Sequence, residues 1–278
     1  MPELPDLVVL ARSCDQALKG KQVSRVQIAQ PKCLNLSPAA FADAVVGQVI
    51  TGVRPRGKWA LFILDRGDIL AVNLGMGGEV RLRSADGEPD LARERAVLRF
   101  ADGDQLWIHF WWFGHVHLVP GGDLSSHPQL GKLGPDPRAV AFTPEALGVL
   151  LAGRRGALKR YLLDQSFLAG IGNVYVQDIL WHARLHPLVP ARDLSPADVA
   201  RLHRAIRHVL DEGIRWGGGP GERDVWGVEG RYAEHLQVGY RTGKSCPSCG
   251  TTIEELRVGS TTSYICPRCQ PDPRLAAR

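Results

Sequence analysis

No uninterrupted apolar stretch in these 278 residues approaches the roughly 20 needed to cross a bilayer. The first residues carry Glu3 and Asp6 where a secretory signal would carry basic residues, so neither a membrane protein nor a secreted one is expected. The expectation is a soluble, cytoplasmic protein. No His-Glu-x-x-His pairing occurs, which leaves an open catalytic zinc without support. No internal repeat is evident either. Cysteine is sparse outside one C-terminal cluster: of six residues only Cys14 and Cys33 lie elsewhere. Cys14 falls in line with Leu7, Leu10 and Leu18 at helical spacing and reads as a small buried apolar side chain.

What is present fits a folded chain of more than one domain. The length exceeds the usual single-domain size, and 44% hydrophobic content supports a sizeable core. A formal charge of +5 suits an anionic partner without identifying one. Residues 6–19 carry apolar side chains at helical spacing and stop at Gly20. From about Val23 to Val119 the pattern changes to short runs rich in Val, Ile, Leu and Trp, broken by turns such as Asp65-Arg66-Gly67-Asp68 and Asp102-Gly103. This predicts an antiparallel β-sandwich or barrel. Gln129 to Pro137, with its prolines and glycines, reads as a connection. Beyond it, Thr143-Pro144 and Ser195-Pro196 each set a capping residue before a proline, and Asp198 completes a capping box. The spacing predicts a small helical bundle from Pro144 to about Ile214, then a glycine-rich loop, Gly213 to Glu222, suited to a linker or a lid.

Three motifs carry chemistry. Cys246-Pro-Ser-Cys249 and Cys266-Pro-Arg-Cys269 are separated by sixteen residues, a spacing at which four thiolates enclose one tetrahedral Zn2+. Four thiolates leave no position for water, so the ion is structural. The segment Leu168-Ala-Gly170-Ile-Gly172-Asn173-Val-Tyr175 is a tight reversal between helices. Such a turn can grip a phosphate through Asn173 and backbone N–H groups, with Lys159 on the preceding helix as a second contact, or it can be a buried reversal and nothing more. The third motif is Met1-Pro2-Glu3-Leu4-Pro5. A small second residue allows Met1 to be removed, leaving a secondary amine whose pKa lies near ~8 rather than ~10, a usable nucleophile. Attack on C1′ of a nucleotide would give an iminium electron sink, with adjacent Glu3 moving protons. Stiffening of the terminus by Pro2 and Pro5 is the plainer alternative.

Together, and in this order, these features resemble the bacterial formamidopyrimidine-DNA glycosylase and endonuclease VIII family over nearly the whole chain. The resemblance rests on Pro2-Glu3-Leu4-Pro5, Arg56-Gly57-Lys58, Leu74-Gly75-Met76, Leu133-Gly134-Pro135, Gly172-Asn173-Val-Tyr175, Leu236-Gln237-Val238 and the four cysteines. It implies an α+β fold in three parts. These are an N-terminal helix and β-sandwich catalytic domain (1–130), a helix-two-turns-helix DNA-binding domain (131–235) and a four-cysteine zinc finger (236–278), with lesion-bearing double-stranded DNA held in the cleft. It implies Pro2 as nucleophile, Glu3 as proton shuttle and Lys58 as a phosphate contact near the lesion. Lys159 and Asn173 would hold the backbone, and Met76 and Phe113 would fill the gap left by the everted nucleotide. Extrusion meets a physical need, because C1′ is out of reach while the base stays stacked. Such an enzyme would combine base excision with abasic-site lyase activity on oxidised or ring-opened bases, as a monomer associated with the nucleoid.

The chain departs from the family pattern at several positions. Thr261 stands where an arginine is usual in the zinc-finger hairpin, and its hydroxyl offers one hydrogen bond to a phosphate in place of a charged fork. Trp111, in Phe110-Trp111-Trp112-Phe113-Gly114, replaces an arginine that would hydrogen-bond the orphaned base with a flat stacking surface, although one tryptophan of the pair also suits a strand core. Asn73 and Asp178 are milder changes. These losses keep a second reading open, a non-catalytic or lyase-only protein on the same scaffold that binds damaged or structured DNA.

Overall fold

The computed structural model describes residues 1–274. It divides into two compact units, Met1–Gly131 with Gly217–Gly230, and Lys132–Trp216 with the residues from Arg231 onward. The first unit is therefore not contiguous, and it takes in residues 217–230, which the sequence suggests run on within the helical domain. Among the described residues no helix is long and apolar enough to cross a membrane.

The first unit opens with α1 (Leu4–Leu18), whose Leu7, Leu10, Cys14 and Leu18 line one face and are all buried. Pro5 stands in the first turn, where its missing N–H costs nothing. Eight strands follow: β1 (Val23–Ile28), β2 (Ile50–Arg56), β3 (Trp59–Leu64), β4 (Ile69–Asn73), β5 (Glu79–Arg83), β6 (Glu94–Phe100), β7 (Gln105–His109) and β8 (His115–Val119). They form two antiparallel four-stranded sheets, ordered β1-β6-β7-β5 and β2-β3-β4-β8. One apolar cluster joins both sheets to α1 through Phe62, Leu70, Leu98, Leu106 and Ile108. Each such side chain contributes about 1.5–3 kcal/mol by leaving water. A short helix the strand pattern does not suggest, α2 (Pro38–Val45), interrupts the strands. Ser37 caps it, and Phe41 and Val45 enter the same core. Cys14 and Cys33 are both buried, and burial pushes the Cys33 thiol up to about 11, so both behave as core residues.

The second unit contains α3 (Pro144–Leu151), α4 (Leu158–Leu163), α5 (Tyr175–His182) and α6 (Pro196–Arg215), then the hairpin β9 (Glu254–Val258) and β10 (Thr261–Ile265). The caps stand where the sequence puts them. Thr143 Oγ1 accepts from Ala146 N at 3.2 Å, and Ser195 Oγ accepts from Asp198 N at 3.2 Å while Asp198 takes the Ser195 N–H. Asp178 of α5 is fully buried and accepts the N–H groups of Gln237, Val238 and Gly239 at 2.9–3.2 Å, which fixes the Leu236-Gln237-Val238 segment.

Candidate active site and zinc centre

In the first unit the site begins at the N-cap of α1. Glu3 N donates to Asp6 Oδ2 at 2.6 Å, and the two residues cap the first turn reciprocally. The other oxygen of Asp6 accepts from Gly219 N at 2.8 Å, so a single carboxylate ties the N-terminus to the glycine-rich loop. That loop is held further by Val225, which donates its N–H to Ser13 Oγ at 3.1 Å and accepts from Leu82 N at 2.9 Å. Pro2 and Glu3 are buried.

Lys58 reaches this cluster from the β2–β3 hairpin, a two-residue turn that needs a positive φ at its first position, supplied by Gly57 at 56°. Burial lowers the Lys58 pKa, and the carboxylates of Glu3 and Asp6 act against that shift. Asn73 positions the hairpin: its Nδ2 donates to the Lys58 carbonyl at 2.9 Å and its Oδ1 accepts from Gly75 N at 3.0 Å. A cavity of about 290 Å³ opens beside the terminus, lined by Met1, Glu79, Arg93, His109, Trp111 and Glu222, among others.

The Leu74-Gly75-Met76 turn lies against Trp111-Trp112-Phe113 through a β-bridge in which Met76 N donates to the Trp112 carbonyl and Trp111 N to the Met76 carbonyl. Gly75 is required there, because a Cβ would stand 2.0 Å from the Trp112 oxygen. The bridge gathers three large exposed side chains, Met76 (49% exposed), Trp112 (67%) and Phe113 (74%). Neither tryptophan is a core residue, so the strand-core alternative for one of them does not hold. Trp111, 55% exposed, meets His109 edge-on with ring centroids 4.7 Å apart and lines the cavity at the N-terminus. Trp112, not singled out from the sequence, is the tryptophan that stands with Met76 and Phe113.

One expectation in the second unit is corrected. Lys159 is 0% exposed, and its Nζ donates to the Thr262 carbonyl at 2.6 Å and to Ser263 Oγ at 2.8 Å. It fastens α4 to β10 and is not presented to a phosphate, and burial lowers its pKa to about 8. Thr261, half-buried, donates its hydroxyl to the Val258 carbonyl at 3.1 Å, a bond within the β9–β10 hairpin. Asn173 lies half-buried at the reversal, its Oδ1 accepting from Gln177 Nε2 at 3.0 Å. Gln177, which the sequence did not single out, also donates to the Thr262 carbonyl at 3.2 Å and accepts from Tyr264 N at 3.1 Å.

The sulfur atoms of Cys246, Cys249, Cys266 and Cys269 all lie within 4.8 Å of one another. Individual separations are 3.4 Å (Cys249–Cys266), 3.5 Å (Cys249–Cys269) and 3.9 Å (Cys246–Cys269). A tetrahedron with Zn–S arms of about 2.3 Å has edges of about 3.8 Å, so the four thiols fit a structural zinc ion with no open position. Gln270 docks the finger, donating to the Leu185 carbonyl at 2.9 Å and accepting from Cys266 N at 3.1 Å.

The β-sandwich with its acid-lined N-terminus, the helical reversal and the four-thiolate finger are the parts that the sequence resemblance calls for, and comparison with known proteins tests it. Three family models match: the formamidopyrimidine-DNA glycosylase N-terminal domain over residues 1–111, the formamidopyrimidine-DNA glycosylase H2TH domain over 133–223, and the zinc finger found in FPG and IleRS over 243–271. Formamidopyrimidine-DNA glycosylase of Chloroflexus aurantiacus is 39% identical over 97% of this chain and 98% of its own, and that of Moorella thermoacetica is 38% identical over 91% and 94%. Among solved structures, Lactococcus lactis Fpg in complex with N7-benzyl-Fapy-dG DNA superposes with a TM-score of 0.91 at 28% identity, covering 98% of this chain and all of that one. The same enzyme with abasic-site DNA gives 0.90 at 27% identity, over 97% of this chain and all of that one. The chain belongs to the formamidopyrimidine-DNA glycosylase family, the DNA glycosylases of base-excision repair.

Proposed function

We propose that the chain excises oxidised or ring-opened bases from double-stranded DNA through the secondary amine of Pro2, freed by removal of Met1, and that it cleaves abasic sites by the same iminium route. The observation that carries this reading is the convergence of Glu3, Asp6 and Lys58 on the N-terminus beside a cavity. An amine attacking C1′ needs a base to take its proton and a cation to hold the flanking phosphate, and Glu3 and Lys58 are of those types. Met76 and Phe113, exposed on one ridge with Trp112, suit the space left by an everted nucleotide. Asn173 would contact backbone phosphate from the helical unit, and Trp111 would stack on a base. The relatives' complexes with formamidopyrimidine and abasic DNA support the lesion class. The chain would act as a monomer on nucleoid DNA, since one copy supplies all these groups. A non-catalytic binder would have no use for buried carboxyls at a free amine.

The test is borohydride trapping on abasic-site DNA. A covalent adduct is expected with the processed chain, lost when Met1 is retained and strongly reduced in Glu3→Gln. Tight binding without an adduct would overturn the mechanism, and excision of oxidised purines alone would overturn the broad lesion range.

A further inference from the structure

The reaction just described moves two protons, and Glu3 accounts for one of them. As C1′ accepts the amine, nitrogen must lose its proton, and the departing base must gain one on the nitrogen that leaves. Glu3 suits the first task, since its carboxyl stands at the N-cap of α1, next in sequence to the Pro2 amine. The second task needs a group that carries a proton at neutral pH on the cavity side of the amine.

We propose that Glu222 is a further catalytic residue, the proton donor to the departing base. Its Oε1 lies 4.0 Å from the N-terminal nitrogen of Met1, and its side chain lines the 290 Å³ cavity together with that residue and Trp111. The position is built rather than incidental, because Asp6 ties the N-cap of α1 to Gly219, three residues before Glu222, and Val225 anchors the other end of the segment on Ser13 and Leu82. The charged groups around it are Asp6 and Glu3 on α1, the terminal amine and neighbouring Arg223, with Glu79, Arg93 and His109 on the remaining cavity wall. Arg223 is engaged with Glu229 at 3.0 Å, and Glu79 with Arg81 and Arg93. Burial, then Asp6 and Glu3, push the Glu222 carboxyl up to about 8, against the lowering effect of the amine and Arg223. A carboxyl and a carboxylate on one substrate, separated by environment, divide acid from base work.

The step balances. The Pro2 lone pair forms the N–C1′ bond, and the glycosidic C1′–N bond breaks with its electron pair going to the base, which takes the Glu222 proton. Glu3 takes the ammonium proton and returns it to O4′ as the ring C–O bond opens to the iminium. Charge is conserved, with one new cation on nitrogen and one new anion on Glu222.

This assignment rests on the Pro2 reading and is tested apart from it, because an abasic site has no base to protonate. Glu222→Gln is compared with wild type in single-turnover excision of formamidopyrimidine-dG and 8-oxoguanine duplexes and in borohydride trapping on abasic DNA. The expected result is an excision rate about 10²-fold lower, with trapping within about threefold of wild type. Wild-type excision should fall above pH about 8, a limb missing from the variant. Excision unchanged in the variant would overturn the assignment, and so would excision and trapping falling together, or a wild type that traps abasic DNA but excises neither base. A wild type that traps nothing would instead remove the Pro2 mechanism beneath it.

Discussion

Lys58 and Lys159 each carry an amine out of water, and in each burial lowers the pKa. Their partners differ in kind. Lys159 ends on a carbonyl and a hydroxyl and sees no solvent, so its hydrogen bonds are satisfied inside the protein. Lys58 is only partly covered and faces two carboxylates beside a cavity that also takes in the N-terminus. Burial of a charge is therefore not by itself a sign of chemistry. A buried charge whose partners are all internal holds a structure together, whereas one facing titratable groups at an open cavity is arranged for a substrate.

Substituting each lysine in turn would break this contrast most directly. Lys58→Met is expected to lower excision and trapping about 10²-fold with little change in melting temperature. Lys159→Met should leave turnover at saturating DNA intact but cost about 1–3 kcal/mol in a urea unfolding series, because the fully buried Ser263 hydroxyl loses a donor while the Thr262 carbonyl keeps Gln177. The opposite pattern would exchange the two roles.

A smaller effect sharpens the comparison through pH. The Lys159 pKa is about 8 in the folded chain against 10.5 ordinarily, so between those values the unfolded chain binds the extra proton. The cost of burying the charge is full below pH 8 and is relieved as pH rises toward 10.5. Wild type should thus gain stability relative to Lys159→Met over that window, as read from unfolding midpoints. A flat difference would mean that the amine stays charged in place.

The smallest expected change is at Thr261. Because its hydroxyl hydrogen is used on the Val258 carbonyl, Thr261→Arg removes little and adds a cation to the hairpin. The slope of log affinity against log salt should steepen by about one, the signature of one more phosphate contact. An unchanged slope would separate this hairpin from the DNA.

Much of the scaffold was legible in the sequence because it is written locally. The Cys-x-x-Cys pairs, the Thr143 and Ser195 caps and the Asp65-Arg66-Gly67-Asp68 turn each depend on residues a few positions apart, and all are found. The sandwich followed from strand-length runs and turn residues. What escaped depends on tertiary packing. Lys159 reads as a phosphate contact because a lysine on a short helix is ordinarily exposed, and its burial is set by β10 about a hundred residues away. The eight-residue α2 carries its Ser37-Pro38 signal but sits among strands that dominate the pattern. Glu222 lies in a loop whose glycines announce freedom, and the Asp6–Gly219 hydrogen bond together with the Val225 anchors on Ser13 and Leu82 shows where it settles.

The return of residues 217–230 to the first unit also sets an order on biosynthesis. Val225 belongs to the core that α1 and the strands enclose, yet it leaves the ribosome more than a hundred residues after β8. The sandwich emerges with one of its wall positions vacant, and the nascent chain must keep that seam from mispairing while the helical unit is made. The last piece of the N-terminal core and the Glu222 carboxyl arrive together, so an incomplete chain carries a terminus with no finished pocket around it.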